Sequence, residues 1–274
     1  MEVLLLYLLV GMAAGTIAGL FGVGGGLIIV PALVLMFTAQ GIAPEILTHM
    51  AVGTSLATII ITSISSIRTH HGKRAVDWKI VALMAPGILV GSWIGGVTAD
   101  WLSGAWLQFL IGLFAVGIAL KMWLDGLRKA ELPTDGSRLP GKAGLTVVGA
   151  FIGWASAIFG IGGGSLTVPF LSRCHIVMQR AVATSAACGL PIAVAGALSF
   201  AVQGWSNPQL PQWSSGYIYW PAFFGIVLAS TWFARLGAKL AHRLSPQLLK
   251  NCFAGLLFVI GVRFIWLNYA VVIN

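Results

Sequence analysis

The sequence predicts an all-α polytopic membrane protein. It is built as two inverted repeats of about five helical segments each, roughly 8–10 membrane segments in all. Three observations predict this: the scarcity of charge, the clustering of positive charge, and a glycine-rich motif that occurs twice.

Of 274 residues, 58% are hydrophobic and 8% are charged, and the mean hydropathy is +0.94. A soluble domain carries about 25% charged residues. So few charges cannot cover a water-facing surface, which excludes a soluble enzyme, a disordered chain and a collagenous one. Cys174, Cys188 and Cys252 form no disulfide framework, and Cys188 and Cys252, which sit in apolar runs, read as small packing residues. The first residues, Met1-Glu2-Val3-Leu4, lack a basic n-region and read as the start of a retained helix.

The net charge of +9 would suggest nucleic acid in a soluble protein. In a membrane protein it marks topology, because Lys and Arg collect in cytoplasmic loops. Arg68, Lys73, Arg74 and Lys79 form one cluster. Lys121, Arg128, Lys129, Arg138 and Lys142 form a second, and Arg235, Lys239, Arg243 and Lys250 a third. The connections around Asp100 and across Gln203–Ser215 are bare of both and read as outward. Spans follow: Ala51–Ile67 out to in, Ile80–Ala99 in to out, Trp106–Leu124 out to in. In the second half Ala181–Val202 runs in to out, Tyr217–Ala234 out to in and Leu248–Tyr269 in to out. Both termini are then extracytoplasmic.

Leu20-Phe-Gly-Val-Gly-Gly-Gly-Leu-Ile-Ile-Val-Pro31 recurs as Ile158-Phe-Gly-Ile-Gly-Gly-Gly-Ser-Leu-Thr-Val-Pro169. The Phe, all four Gly and the Val-Pro pair are identical. Gly53-Thr54-Ser55 is echoed by Ala183-Thr184-Ser185. The repeats are 1–125 and 143–274, joined by a polar cytoplasmic linker, 126–142. The helix of Thr54 runs inward and that of Thr184 outward, so the repeats are inverted, a plan common among secondary transporters. Each glycine-rich segment, Val3–Phe37 and Ala143–Leu171, must cross an even number of times. About 35 residues of continuous helix would be roughly 50 Å long, too long for one crossing. A helix, a break at the glycine triplet and a returning helix fits; whether the return is a full span or a half-helix is open in the sequence.

The breaks fall at Gly24-Gly25-Gly26 and Gly162-Gly163-Gly164. Non-helical backbone at membrane depth must be buried in protein or line a polar cavity. The helix restarting at Leu27 or Ser165 presents unpaired N–H groups and a positive dipole end, which suit an anion. Close packing of small residues is the alternative use of such glycines. All seven carboxylates lie at or near span ends or in loops, whereas a cation antiporter usually needs one at depth. Hydroxyls abound instead. Thr54, Ser55, Ser165, Thr184 and Ser185 join the six triplet glycines as the candidate substrate-binding set. Thr58 and Ser199 are further hydroxyls within the spans, and Thr62, Ser63, Ser65 and Ser66 more simply bond back to their own helix. His49 and Arg180 are candidates for gating or proton relay. Arg263 should snorkel outward, and Trp205, Trp213, Tyr217, Tyr219 and Trp220 read as an interfacial belt. No ligand set for a metal is present, and no cofactor is expected.

Together these residues resemble the TauE/SafE family of membrane permeases, the sulfite exporter or TSUP family. The resemblance rests on Gly19-Leu-Phe-Gly-Val-Gly-Gly-Gly26 with Val30-Pro31, its second copy, Gly53-Thr54-Ser55 after His49, and Arg74-Ala-Val-Asp-Trp78. It covers nearly the whole chain. The second copy departs in having Ala157 for Gly19 and Ala183 for Gly53. The resemblance implies a secondary transporter, not an enzyme, for sulfite, sulfoacetate or a related organosulfonate in a bacterial inner membrane. An anion channel of the same fold is the alternative; a membrane enzyme or an assembly subunit is less favoured. The partners expected are the small sulfur anion and the bilayer, with no nucleic acid.

Overall fold

A computed structural model of the chain describes residues 2–21, 25–72, 74–127, 139–240 and 246–273. Gly24, Lys73, Arg128, Lys129, Arg138, Arg243 and most of the expected linker lie outside the described residues. The fold is all-α, as the sequence predicts. Before the linker come α1 (Glu2–Phe21), α2 (Gly26–Ala39), α3 (Pro44–Gly72), α4 (Trp78–Trp101) and α5 (Gly104–Leu127). After it come α6 (Lys142–Phe159), α7 (Gly164–Arg173), α8 (Met178–Gln203), α9 (Trp220–Leu240) and α10 (Pro246–Ile273). A two-stranded turn, β1 (Ser214–Ser215) with β2 (Ile218–Tyr219), precedes α9. Each half runs long, short, long, long, long.

Local chemistry sets the boundaries. Proline opens α3 and α10, where its missing N–H costs nothing. Asp77 caps α4, its Oδ1 accepting from Lys79 N at 3.2 Å and Ile80 N at 3.4 Å. Gly160 ends α6 at φ +64°, a left-handed turn that favours glycine. The Gly160 and Ile161 amides donate back to Ala157 O and Ser156 O.

The glycine-rich segments are broken helices. α2 has 14 residues and α7 has 10, about 21 and 15 Å of helix. A hydrocarbon core of roughly 30 Å needs about 20 residues, so both are too short for a full crossing, α2 reaching about two-thirds of one and α7 about half. The first pair closes as a hairpin: Tyr7 near the start of α1 hydrogen-bonds Gln40 at the end of α2, Oη to Oε1 3.1 Å and Nε2 to Oη 2.8 Å.

Among the described residues, α3, α4, α6, α8 and residues 104–124 of α5 are long and apolar enough to cross a membrane. In α3 and α8, 61% of the most apolar stretch is buried inside the protein, against 28% in α5. α3 and α8 are thus the centre and α5 the periphery. The apolar faces left open, at Trp101, Phe151, Phe224, Trp232 and Trp266, are those a bilayer covers. Helices pair as α1 with α9, α4 with α6, α5 with α10, and α3 with α8. Small residues let the pairs approach. A methyl on Gly149 would lie 2.6 Å from Met84 O and one on Gly11 2.6 Å from Ile226 O. Methyls on Gly112 and Gly261 would lie 2.8 and 2.7 Å from each other's carbonyl oxygens.

Candidate functional site

Gly25 starts α2 at φ +73°, and its carbonyl accepts from Ile28 N at 3.0 Å and Ile29 N at 3.1 Å. In the second break Gly163 caps α7, and Thr167 N donates to Gly163 O at 2.8 Å. The two breaks touch. A methyl on Gly26 would lie 2.8 Å from Gly160 O and 3.0 Å from Ile161 Cα. Ile59 of α3 reaches both: its Cδ1 is 2.9 Å from that Gly26 position and its Cγ2 is 3.4 Å from the equivalent position on Gly162. Two glycine-rich segments far apart in sequence thus meet beside the central helix.

The predicted hydroxyls fall into two groups. The first is already engaged. Thr54 Oγ1 accepts from Tyr219 N at 3.0 Å, just ahead of α9, and Thr184 Oγ1 accepts from Asp77 N at 3.0 Å, the cap of α4. Both threonines are fully buried. Ser55 Oγ donates 2.8 Å to Gly160 O, pinning α3 to the second break. The second group is free: the Ser165 and Ser185 hydroxyls are buried with no hydrogen-bond partner. Thr58 and Thr62 bond back within α3, to Ser55 O, Thr58 O and Ile59 O.

His49 is buried at the start of α3. Its Nδ1 lies 3.1 Å from Glu45 O, and its Nε2 2.9 Å from Ala99 O and 3.1 Å from Leu102 O. Its ring stacks on Tyr217 at 5.1 Å. Tyr217 Oη donates to Asp100 Oδ1 at 3.1 Å. Burial, the largest influence on it, pushes the Tyr217 phenol up. At the start of α8, Arg180 Nη2 lies 2.8 Å from Asp77 Oδ2. Arg263 is exposed on α10. The aromatic belt divides: Trp205 and Trp213 are exposed, while Tyr217 packs on His49 and Phe200 and Tyr219 on Tyr7 and Phe37.

Sequence reasoning passed over Thr167, which is fully buried with an unpartnered hydroxyl. The signal was present, because Thr167 stands where the first motif copy has Ile29. A small pocket where the two breaks meet is lined by apolar groups, among them Leu27 and Pro31 of the first, Phe159 of the second, and Phe114 of α5. No group of three or more His, Cys, Asp or Glu that would hold a metal occurs among the described residues.

Residues 7–264 match the family described as sulfite exporter TauE/SafE. A probable membrane transporter protein of Haemophilus influenzae is 39% identical over 95% of this chain and 97% of its own length. One of Methanocaldococcus jannaschii is 28% identical over 94% of this chain and 93% of its own. The probable membrane transporter protein YunE of Bacillus subtilis is 26% identical over 93% of this chain and 95% of its own. No solved structure matches significantly. A chain of membrane-crossing helices, matched to this family over nearly its whole length, belongs to the TauE/SafE sulfite exporter family and is a multi-pass membrane transporter, not an enzyme.

Proposed function

We propose that the chain is a secondary transporter moving a small sulfur-containing anion, such as sulfite, sulfoacetate or a related organosulfonate, across a bacterial inner membrane. The observation that carries this reading is the meeting of the two glycine breaks beside α3, each at the start of a helix too short to cross, whose first amides lack helical partners. The anion sits at the breaks, Gly24–Gly26 and Gly162–Gly164, with Ser165 and Ser185 as hydroxyl donors and Ser55 holding the second break in place. Thr54 and Thr184 frame the site by fastening the starts of α9 and α4.

In this proposal the halves, 1–125 and 143–274, are inverted about 126–142, with both termini outside. Exchanged pairing supports it: α4 packs on α6 as α1 packs on α9, and Thr184 receives the α4 cap amide as Thr54 receives the one before α9. One half rocking against the other alternates access. His49 with Tyr217 and Asp100 latches one end, and Arg180 with Asp77 the other. Purified protein in liposomes tests the reading: saturable uptake of sulfite or sulfoacetate with counterflow is expected. Absence of flux for both refutes the substrate class, and unitary currents in a planar bilayer would make it a channel.

A further inference from the structure

The two breaks are not chemically equivalent, although their glycines are. Positions Ser165 and Thr167 in α7 correspond to Leu27 and Ile29 in α2. Counting from the paired threonines, Gly189 of α8 corresponds to Ile59 of α3. Every polar choice among these positions lies on the second break. The buried, unpartnered Thr167 Oγ1 lies 3.2 Å from where a methyl on Gly163 would stand, and Ser185 O lies 3.3 Å from it. Ser185 carries a second buried hydroxyl without a partner. Where a methyl on Gly189 would stand, Ser63 Oγ lies at 3.2 Å and Gly163 N at 3.6 Å, so the absent side chain is what lets the two approach one another. The first break has the opposite character, with the apolar Leu27 and Ile29 at the matching positions, both buried.

We infer that the anion binds on the second break alone, at the start of α7, held by Gly163 N–H and the hydroxyls of Thr167, Ser185 and Ser63, with the first break as an apolar wall. This inference rests on the transporter reading above and narrows its site to one half. Each donor is neutral, and orphaned buried hydroxyls are costly unless something accepts from them. Such a set selects a small anion by its acceptor oxygens, a sulfite or sulfonate head, and not by a countercharge. An asymmetric site also makes the two access states unequal, because only one half carries the ligand's partners.

The test is sulfite and sulfoacetate binding to the purified full chain by calorimetry, with the unliganded melting point recorded for each variant. Gly189→Ala puts a methyl between Ser63 and Gly163 N, where it crowds only a rotatable hydroxyl, and places a better helix former in α8. Thr167→Val removes the free hydroxyl at constant shape. Each is expected to weaken binding at least about tenfold, as loss of a bond to a charged ligand does. The mirror change Ile29→Val, outside that set, is expected to stay within about twofold, since it removes no donor. Wild-type affinity in both Gly189→Ala and Thr167→Val, with wild type itself binding, overturns the one-sided site and leaves the transporter reading standing. Wild type that neither binds nor transports these anions overturns both.

Discussion

Replacing Thr54 with valine removes a single oxygen and keeps the side-chain shape. The oxygen accepts the Tyr219 amide at 3.0 Å in a fully buried position. Valine leaves that N–H without its acceptor, a loss of about 1–3 kcal/mol. For a chain of this size each kcal/mol moves the midpoint by roughly 2–4 °C. Thr54→Val should therefore lower the melting point of the detergent-purified protein by about 2–12 °C, followed by intrinsic fluorescence. Thr54→Ser keeps the oxygen and should recover most of it. Thr184→Val breaks the matching bond to Asp77 N; the two sites share no partner, so the double variant should show about the sum. A Thr54→Val midpoint within about 1 °C of wild type would refute the reasoning, since the lost hydrogen bond is worth more than that. The hydroxyl would then be free to serve substrate directly.

Gly91→Ala drives a methyl into the Ala150 carbonyl oxygen across the α4–α6 contact, whereas Gly117→Ala meets nothing within 4 Å. The first should cost at least about 1–3 kcal/mol in thermal unfolding and lower membrane yield, the second close to nothing. Asp77→Ala removes both the α4 cap and the partner of Arg180; it should cost about 1–2 kcal/mol. Arg180→Ala breaks only a pair whose cation is largely exposed and should cost under about 1 kcal/mol. Burial pushes the Cys174 thiol up, so less of it is thiolate at neutral pH. Maleimide modification of the Cys174 peptide, read by mass spectrometry, should lag a free thiol near neutral pH and speed up as pH rises toward the raised value.

A range of eight to ten helical segments, the breaks and their positions were legible because apolar run length and glycine punctuation are local properties. The shortness of α2 and α7 was bounded by arithmetic but not decided, since 35 residues allow more than one way of folding back. The glycines that bring α4 onto α6 carried a readable four-residue spacing at Gly87, Gly91 and Gly95, yet which helix would face them was not readable. Tyr217 and Tyr219 looked like interfacial aromatics because composition near a loop is the same whether a ring faces lipid or His49.

By itself the sequence determined that the chain lives in a bilayer, that a glycine-rich motif occurs twice, and that helices are interrupted there. Those follow from hydropathy and repetition, which need no partner. Only the tertiary structure decided which hydroxyls are spent and which are free. Thr54 and Thr184 matched in the motif and both proved to hold backbone amides from the opposite half. Ser165, Thr167 and Ser185 were left without partners. The reason is physical: a hydroxyl's availability depends on what the fold brings within about 3 Å of it, and those neighbours lie more than a hundred residues away.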